Sequence, residues 1–352
     1  MAAGVSDWAL SAENGNDEEM KSTLLELLRC PRSGQRLLLE RLGAEKTSDA
    51  SALDDINSGW LVSEDGQDRY PIRNNIPRFV PESNYADNFG MQWNYFRQTQ
   101  LDSHSGHPIS ADRFWKATGW SKNALKDQWV LDIGCGAGRF AEVALDAGAV
   151  VVALDYSNSV DACYANLMHH PNLHVVQGDI YALPFSRNSF AFVYSLGVLQ
   201  HTPDVAAAFA ALPPMVQSGG KLAVDYYERS WKSFFHIKYW LRPLSKRMPK
   251  VALFSLLRKV VPTLLPGSRL LGAIPLVGGA LKRMVPVVNY YGTLPLTTLQ
   301  HQEWSLLDTF DWLAPQYDHP QTAATAKKWM EEAGMKEIEV LKAGHLVARG
   351  TR

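Results

Sequence analysis

From Trp129 onward the hydrophobic positions alternate between two periods. Trp129 to Ile133 is a short apolar run of the kind a strand buried on both faces needs, and Phe140 to Ala147 follows as a compact apolar helix. Val150–Leu154, Leu173–Gln177, Phe190–Leu196 and Lys221–Tyr226 read as four further strands. A helix over Val205 to Gln217 and a turn at Gly219–Gly220 are expected before the last of them. This alternation predicts an α/β domain with a parallel sheet covered on both sides. Thr322 to Ala333 is an amphipathic helix ending at Gly334, and Lys336–Leu341 with Leu346–Arg349 forms a hairpin through Ala343–Gly344.

Before the sheet the pattern is shorter and more mixed. Thr23 to Leu28 is a leucine-rich helical turn, followed by Cys30-Pro31-Arg32-Ser33, the apolar run Leu37 to Leu39 and a polar tract from Gly43 to Gly59. Trp60–Val62 and Tyr70–Ile72 read as short strands, with Asn74–Asn75 as turn residues. Asn84 to Ser103 interleaves aromatic with polar residues as an amphipathic helix does. Ser103 to Pro108 reads as a loop, and Ala111 to Leu125 leads into the central strand.

After Tyr226 the alternation stops. Trp231 to Tyr290 contains no aspartate or glutamate but carries eleven lysines and arginines among leucines, valines, prolines and aromatics. No uninterrupted apolar run there reaches the roughly 20 residues of a spanning helix. Three readings stay open: a helical lid over a hydrophobic or anionic substrate, an interfacial element with basic residues near lipid headgroups, or plain helical packing including a homodimer contact. The divisions expected are a disordered start at 1–20, a small α+β domain at 21–83, an aromatic helical cover at 84–128, a sheet core at 129–228 and 301–352, and the helical insertion at 229–300.

Composition narrows the class. With 46% hydrophobic and 20% charged residues the 352-residue chain is expected to be a soluble globular protein. A formal net charge of -1 argues against a generally basic nucleic-acid binder, so no nucleic-acid partner is expected. Three cysteines, Cys30, Cys135 and Cys163, fit a reducing interior better than a disulfide scaffold. Met1 to Glu19 is acidic and lacks an apolar run, so a cytoplasmic location is expected, with membrane association through the insertion as a variant of it.

The chemistry concentrates between the first strand and helix of the sheet. Gly134, Gly136 and Gly138 remove Cβ at alternate positions, which lets a ligand lie on backbone amides at a helix N-terminus. The spacing is G-x-G-x-G, with Arg139 where a dinucleotide fingerprint places its third glycine, which disfavours a nicotinamide dehydrogenase. Asp132 lies two positions before the first glycine. This D-x-G-x-G-x-G pattern resembles motif I of the class I S-adenosylmethionine (SAM) dependent methyltransferases. The resemblance implies a Rossmann-like seven-stranded sheet with an antiparallel last strand, and a turn of Gly134, Cys135, Gly136 and Gly138 wrapped around the amino-acid end of SAM. It also implies that Asp132 organises the site near the ammonium. Asp155, roughly 20 residues beyond the turn, is placed to accept both ribose hydroxyls, or to cap the next helix. Asp179 is implied to accept from the adenine amino group while the Ile180 amide meets the ring, and Tyr156 and Leu196 complete the set.

Other stretches extend the resemblance. Phe89 to Asn94 corresponds to a cover over SAM in similar fused methyltransferases, which brings in Trp93, and makes Arg97 a candidate for the SAM carboxylate because a guanidinium offers a bidentate fork. L-L-x-L-L-x-C-P ending in Y-P-I-R-N-N-I-P resembles the small zinc-ribbon-like domain beside or fused to some methyltransferases. Ser33 stands where such a domain has its second cysteine, so 21–83 reads as a degenerate, metal-free version with a structural or docking role.

Gly197 to Asp204 resembles the L-H-H-T-P-D loop of small-molecule methyltransferases, with Gln200 replacing the first histidine. His201 is there either a general base or a loop anchor. Asp225, Tyr226 and Tyr227 leave the fifth strand towards any substrate pocket, and an L-D-T-F-D-W block ending at Trp312 adds Asp311, with His319 further on, as candidate proton handlers. The fourth strand ends in Ser195-Leu196-Gly197-Val198, without the signature of amide or base methylation. The expected function is methyl transfer from SAM to a small, lipophilic or aromatic acceptor at O, N or C. A SAM-binding scaffold without turnover and a methyltransferase acting on protein or RNA are the alternatives.

Overall fold

The computed structural model describes residues 24–41, 58–81, 86–229 and 237–352. The expected disordered start at 1–20, most of the polar tract at 43–59 and the first residues of the insertion lie outside the described residues.

Strands β1 (Leu37–Arg41), β2 (Ser58–Ser63), β3 (Arg69–Arg73) and β4 (Ile76–Pro77) form an antiparallel sheet in chain order. Its apolar side does not close on itself. Leu37, Leu39, Leu61 and Ile72 join Leu24, Leu25 and Leu28 in one core with Leu131, Leu154, Phe185 and Phe190 of the larger sheet domain. Backbone bonds seal the junction: Arg29 N donates to Pro184 O, Ser186 N to Leu27 O, and Phe79 N to Gln177 O on the outermost strand. That last bond covers an edge that would otherwise present unpaired amides. Cys30 sits in a tight turn, its thiol 3.3 Å from both Asp68 Oδ2 and the Tyr70 hydroxyl.

Helices α1 (Asp87–Tyr95), α2 (Asp102–Ser105), α3 (Ile109–Thr118) and α4 (Lys122–Leu125) lead to the main sheet. The stretch expected as a loop from Ser103 begins as α2. The reason is Asp102, whose carboxylate accepts from Ser110 N and Ala111 N at 2.8 Å each, so it satisfies the first amides of α3 and folds the connection back.

The main sheet has seven strands: β5 (Trp129–Ile133), β6 (Val150–Asp155), β7 (Leu173–Gln177), β8 (Phe190–Ser195), β9 (Val216–Tyr226), β10 (Lys336–Ala343) and β11 (His345–Thr351). Their order is β10-β11-β9-β8-β5-β6-β7; β5 to β9 run parallel, and β11 is antiparallel to both neighbours. Helices α5 (Arg139–Asp146), α6 (Ser159–Leu167) and α7 (Val205–Ala210) connect the parallel strands. Two apolar clusters, one on each face, bury it.

The segment before β9 differs from expectation. The helix stops at Ala210, because Pro213 and Pro214 cannot donate to a continuing α-helix. Gly219–Gly220 then lies inside β9 rather than turning the chain. A Cβ on Gly220 would come within 2.7 Å of Ala191 O, so the glycine lets β8 and β9 approach where their register shifts.

The insertion comprises α8 (Ile237–Ser245), α9 (Lys250–Gly272) and α10 (Gly278–Leu281), and is followed by α11 (Thr298–Leu313). By length and composition α9 could cross a membrane. Yet Leu253, Leu257, Val261 and Leu265, one face at helical spacing, pack with Val287, Phe310 and Leu313 in a third core. Several basic residues of the insertion point inward. Arg242 donates to Trp312 O and Pro315 O, Ser245 to Leu313 O and Lys250 to Ala314 O, so they cap the carbonyls at the end of α11. Lys238 pairs with buried Asp318 at 2.7 Å. A final helix, α12 (Ala323–Glu332), starts on Thr322, whose hydroxyl accepts from Thr325 N.

Phe310 is fully buried where α9 meets α11. Phe310→Ala is expected to cost about 3–5 kcal/mol of folding stability. Urea unfolding would show it as a lowered midpoint; an unchanged midpoint would mean that the insertion is not packed through this contact.

Candidate functional site

β5 ends at Ile133 and the chain turns on Gly134, Gly136 and Gly138, with φ of +84°, +54° and +93°. At Gly134 a Cβ would lie 2.4 Å from Val198 Cγ2, and at Gly136 3.2 Å from the Trp93 indole. Both glycines are therefore required by handedness and by close approach of the β8 loop and α1. The freed amides are directed onto the end of β6: Gly134 N and Cys135 N donate to Leu154 O, and Gly136 N donates to Asp155 Oδ2 at 3.0 Å. Asp155 Oδ1 accepts from Ser157 N and Oγ, both at 2.8 Å. Burial and neighbouring Cys163 push the Cys135 thiol well above its usual range, which keeps it protonated.

A cavity of about 910 Å³ opens over this turn. Gly134, Cys135, Gly136, Asp155, Tyr156, Ile180, Leu196 and Trp93 line it, as do His201 and Asp311 at the other end. The remaining expected residues lie elsewhere. Gly138 packs towards Leu167. Asp132 is buried within β5, and its Oδ2 has no hydrogen-bond partner among the described residues; burial raises its carboxyl to about 8, opposed by the Tyr194 hydroxyl and reinforced by the Asp155 charge. Asp179 uses Oδ1 to accept from Tyr181 N at 2.9 Å, although its neighbours Gly178 and Ile180 reach the cavity.

Arg97 and His319 do not line this cavity. Helix α1 ends at Tyr95 and Phe96 turns into the core, which leaves Arg97 exposed, facing Asn166 Oδ1 at 3.4 Å and outside the cavity. His319 is also exposed and outside it, held by a bond from its backbone N to Gln200 O.

The guanidiniums that do line the cavity are Arg113 and Arg139. Arg113 lies on the inward face of α3 with Ile109 and Lys116, and donates to Asp225 Oδ2 at 2.8 Å; Asp225 also accepts from Gly197 N. Arg139, the first residue of α5, donates through Nε to Ser110 Oγ at 2.8 Å and through Nη1 to Gln100 Oε1 at 2.9 Å. Burial, then the charge of Arg113, lowers it to about 10, so it stays cationic at neutral pH.

Helix α11 supplies the far wall. Trp304, Asp308, Asp311 and Trp312 fall at helical spacing on one face and all line the cavity, while Leu307, Phe310 and Leu313 are buried on another. Asp308 accepts from the Tyr290 hydroxyl and from Gln100 Nε2; enclosure raises it to about 6, against the Tyr290 bond. Asp311 accepts from the Tyr227 hydroxyl at 3.3 Å. His345, from the β10–β11 hairpin, is lowered to about 4 by burial and the Arg113 charge, and is neutral at physiological pH.

His201 has a defined tautomer. Its Nδ1 lies 3.1 Å from Tyr317 O, and a carbonyl only accepts, so the proton sits on Nδ1. Nε2 retains its lone pair and is buried with no hydrogen-bond partner among the described residues. The rings of Phe89 and Tyr227 pack at 5.5 and 5.4 Å.

Sequence reasoning missed Arg113, Tyr290, Asp308 and His345 as site residues and assigned no site role to Arg139. One signal was readable: Asp308 and Asp311 share a helix face.

This sheet order and site define a class I SAM-dependent methyltransferase domain. Residues 131–224 match the family model described as "Methyltransferase domain". A demethylmenaquinone methyltransferase of Renibacterium salmoninarum is 33% identical over 130 residues, 37% of this chain and 53% of that protein. A ubiquinone biosynthesis O-methyltransferase of Coxiella burnetii is 28% identical over 114 residues, 32% of this chain and 49% of that protein. The chain thus spans about half the length of these curated relatives. Among solved structures, human N-acetylserotonin methyltransferase in complex with SAM aligns at 11% identity and a TM-score of 0.38, over 76% of this chain and 56% of that one.

Because Asp132 has its folded value raised, its contribution to stability is full below about 3.8 and is lost as pH rises through about 8. Asp132→Asn is expected to flatten the decline in urea midpoint between pH 5 and pH 9. An identical decline in wild type and variant would show that Asp132 does not titrate in this window.

Proposed function

We propose that this protein transfers a methyl group from SAM to a small, lipophilic or aromatic acceptor at oxygen, nitrogen or carbon. The observation that carries the reading is the continuity of one cavity from the glycine turn and Asp155 to His201 and the aromatic wall of α11. The residues present fit SAM. The backbone of Gly134 to Ala137 offers a surface without side chains at its glycines, Asp155 retains acceptor capacity for ribose hydroxyls, and Ile180 in the same cavity offers apolar surface to an adenine ring. Arg139, whose hydrogen bonds go to neutral oxygens, takes the carboxylate role once expected of Arg97.

SAM, when bound, supplies an electrophilic methyl on a sulfonium. The chain's part is to position an acceptor and exclude water. Trp93 and Phe89 cover the site from α1, and the Arg113–Asp225 pair holds the Gly197 loop. His201 accepts the acceptor's proton at Nε2, with Nδ1–H donated to Tyr317 O. The quinone-related names of the relatives support an aromatic, lipophilic acceptor.

Calorimetry should show SAM binding weakened about tenfold or more by Asp155→Ala, which removes charged hydrogen bonds, and by Gly136→Val, which meets Trp93 at positive φ. Arg97→Ala should bind normally. Wild-type affinity in both site variants would refute the cofactor assignment. Transfer of labelled methyl into a metabolite extract, with mass analysis of the product, identifies the acceptor; His201→Asn should then lower kcat about 10²- to 10⁴-fold with SAM affinity retained. An unchanged kcat would remove His201 as the base.

A further inference from the structure

Between Leu270 and Met284 the insertion turns apolar side chains to solvent. Leu270, Ile274, Val277 and Met284 are exposed, and Leu276 is 106% exposed at the tip of the connection between α9 and α10. Leu276 also stands at φ +67°, left-handed backbone that a leucine seldom adopts. A contiguous apolar projection of this kind is uncommon on a freely soluble surface and marks a place where something docks.

The surrounding charge identifies the partner. Arg269 and Arg283 are exposed beside the tip, Lys282 adjoins them, and Arg258 and Lys259 are exposed further back on α9. No acidic residue occurs between Trp231 and Tyr290. Lys238, Arg242 and Lys250 instead face inward, engaged at Asp318 and the end of α11. A symmetric contact with a second copy would bring these like charges together at one patch. An anionic surface that also accepts apolar side chains matches both features.

We propose that this tip docks peripherally on an anionic lipid bilayer. Leu270, Ile274, Leu276 and Val277 enter the boundary between headgroups and acyl chains, and Arg269, Lys282 and Arg283 meet headgroup phosphates. Docking, not spanning, follows from the packing: the inner face of α9 is committed to Phe310 and Leu313. The inference holds independently of methyl transfer. Resting on the reading above, it also gives a lipophilic acceptor a route, since Tyr239, Tyr290 and Leu294 of the same region form part of the cavity wall.

The test is co-sedimentation of the full chain with phosphatidylcholine vesicles, with and without phosphatidylglycerol. Pelleting is expected with the anionic vesicles and is expected to fall as salt approaches 1 M, where the screening length is about 3 Å. Leu276→Asp with Val277→Asp, and separately Lys282→Glu with Arg283→Glu, should each reduce partitioning about tenfold or more, with SAM affinity and thermal midpoint unchanged. Wild type that stays in the supernatant, or pelleting retained by both double variants, overturns the proposal. So does a concentration-dependent dimer that the Leu276→Asp and Val277→Asp pair disperses, which would assign the tip to a second copy.

Discussion

At the carboxyl ends of β5, β6 and β8, three strands are tied together by bonds that also build the floor of the candidate site. Leu154 O accepts two amides of the glycine turn, Asp155 accepts a third, and Ser195 Oγ donates to Ile133 O at 2.9 Å. The turn can reach β6 only because Gly134, Gly136 and Gly138 adopt positive φ, and it can lie under Val198 and Trp93 only because Gly134 and Gly136 lack Cβ atoms. Once these bonds are made, Asp155 is held in place, the β8 loop closes over Gly134, and α5 begins where Arg139 faces the cavity. The position of each of these cavity-facing groups is therefore a consequence of strand pairing rather than of flexible loops.

The interior charges show a second constraint. Arg113, Arg139, Asp225, Asp308 and the Lys238–Asp318 pair are all enclosed to some degree, and such groups are retained only when hydrogen bonds offset lost hydration. Each one here joins elements distant in sequence. Arg113 links α3 to β9, Arg139 links α5 to α3 and Gln100, and Lys238 links the insertion to the segment after α11. The network shapes one side of the cavity while the apolar clusters under the sheet provide most of the burial.

The basic insertion divides along the same lines. Part of its charge is structural, spent on the orphan carbonyls of α11, and part faces outward around an apolar tip. A sequence pattern cannot separate these two uses, because a lysine that caps a helix and one that meets solvent carry the same side chain.

Strand runs β5 to β8 were legible because strands buried on both faces need unbroken apolar stretches, and the hairpin β10–β11 because Ala343–Gly344 separates two strand-like runs, the first of them mixed apolar and charged. The glycine turn was legible for a local reason, since positive φ and close approach admit few residues, and Asp155 was legible from its place at a strand end roughly 20 residues beyond it. The Gly219–Gly220 pair misled, since glycine serves a tight turn and a close strand pairing equally well. Arg97 and Arg139 present the same chemistry, and the end of α1 decided which of them reaches the cavity. Asp308, Tyr290 and His345 meet Arg113 only through folding of segments far apart in the chain. The sequence by itself thus determined the sheet and the glycine turn, both set by local sterics and period, while the cofactor class came from the resemblance of that turn to methyltransferase motif I. Tertiary structure alone decided the charged wall of the cavity, the inward caps of the insertion and its outward tip, because those depend on which face each helix buries.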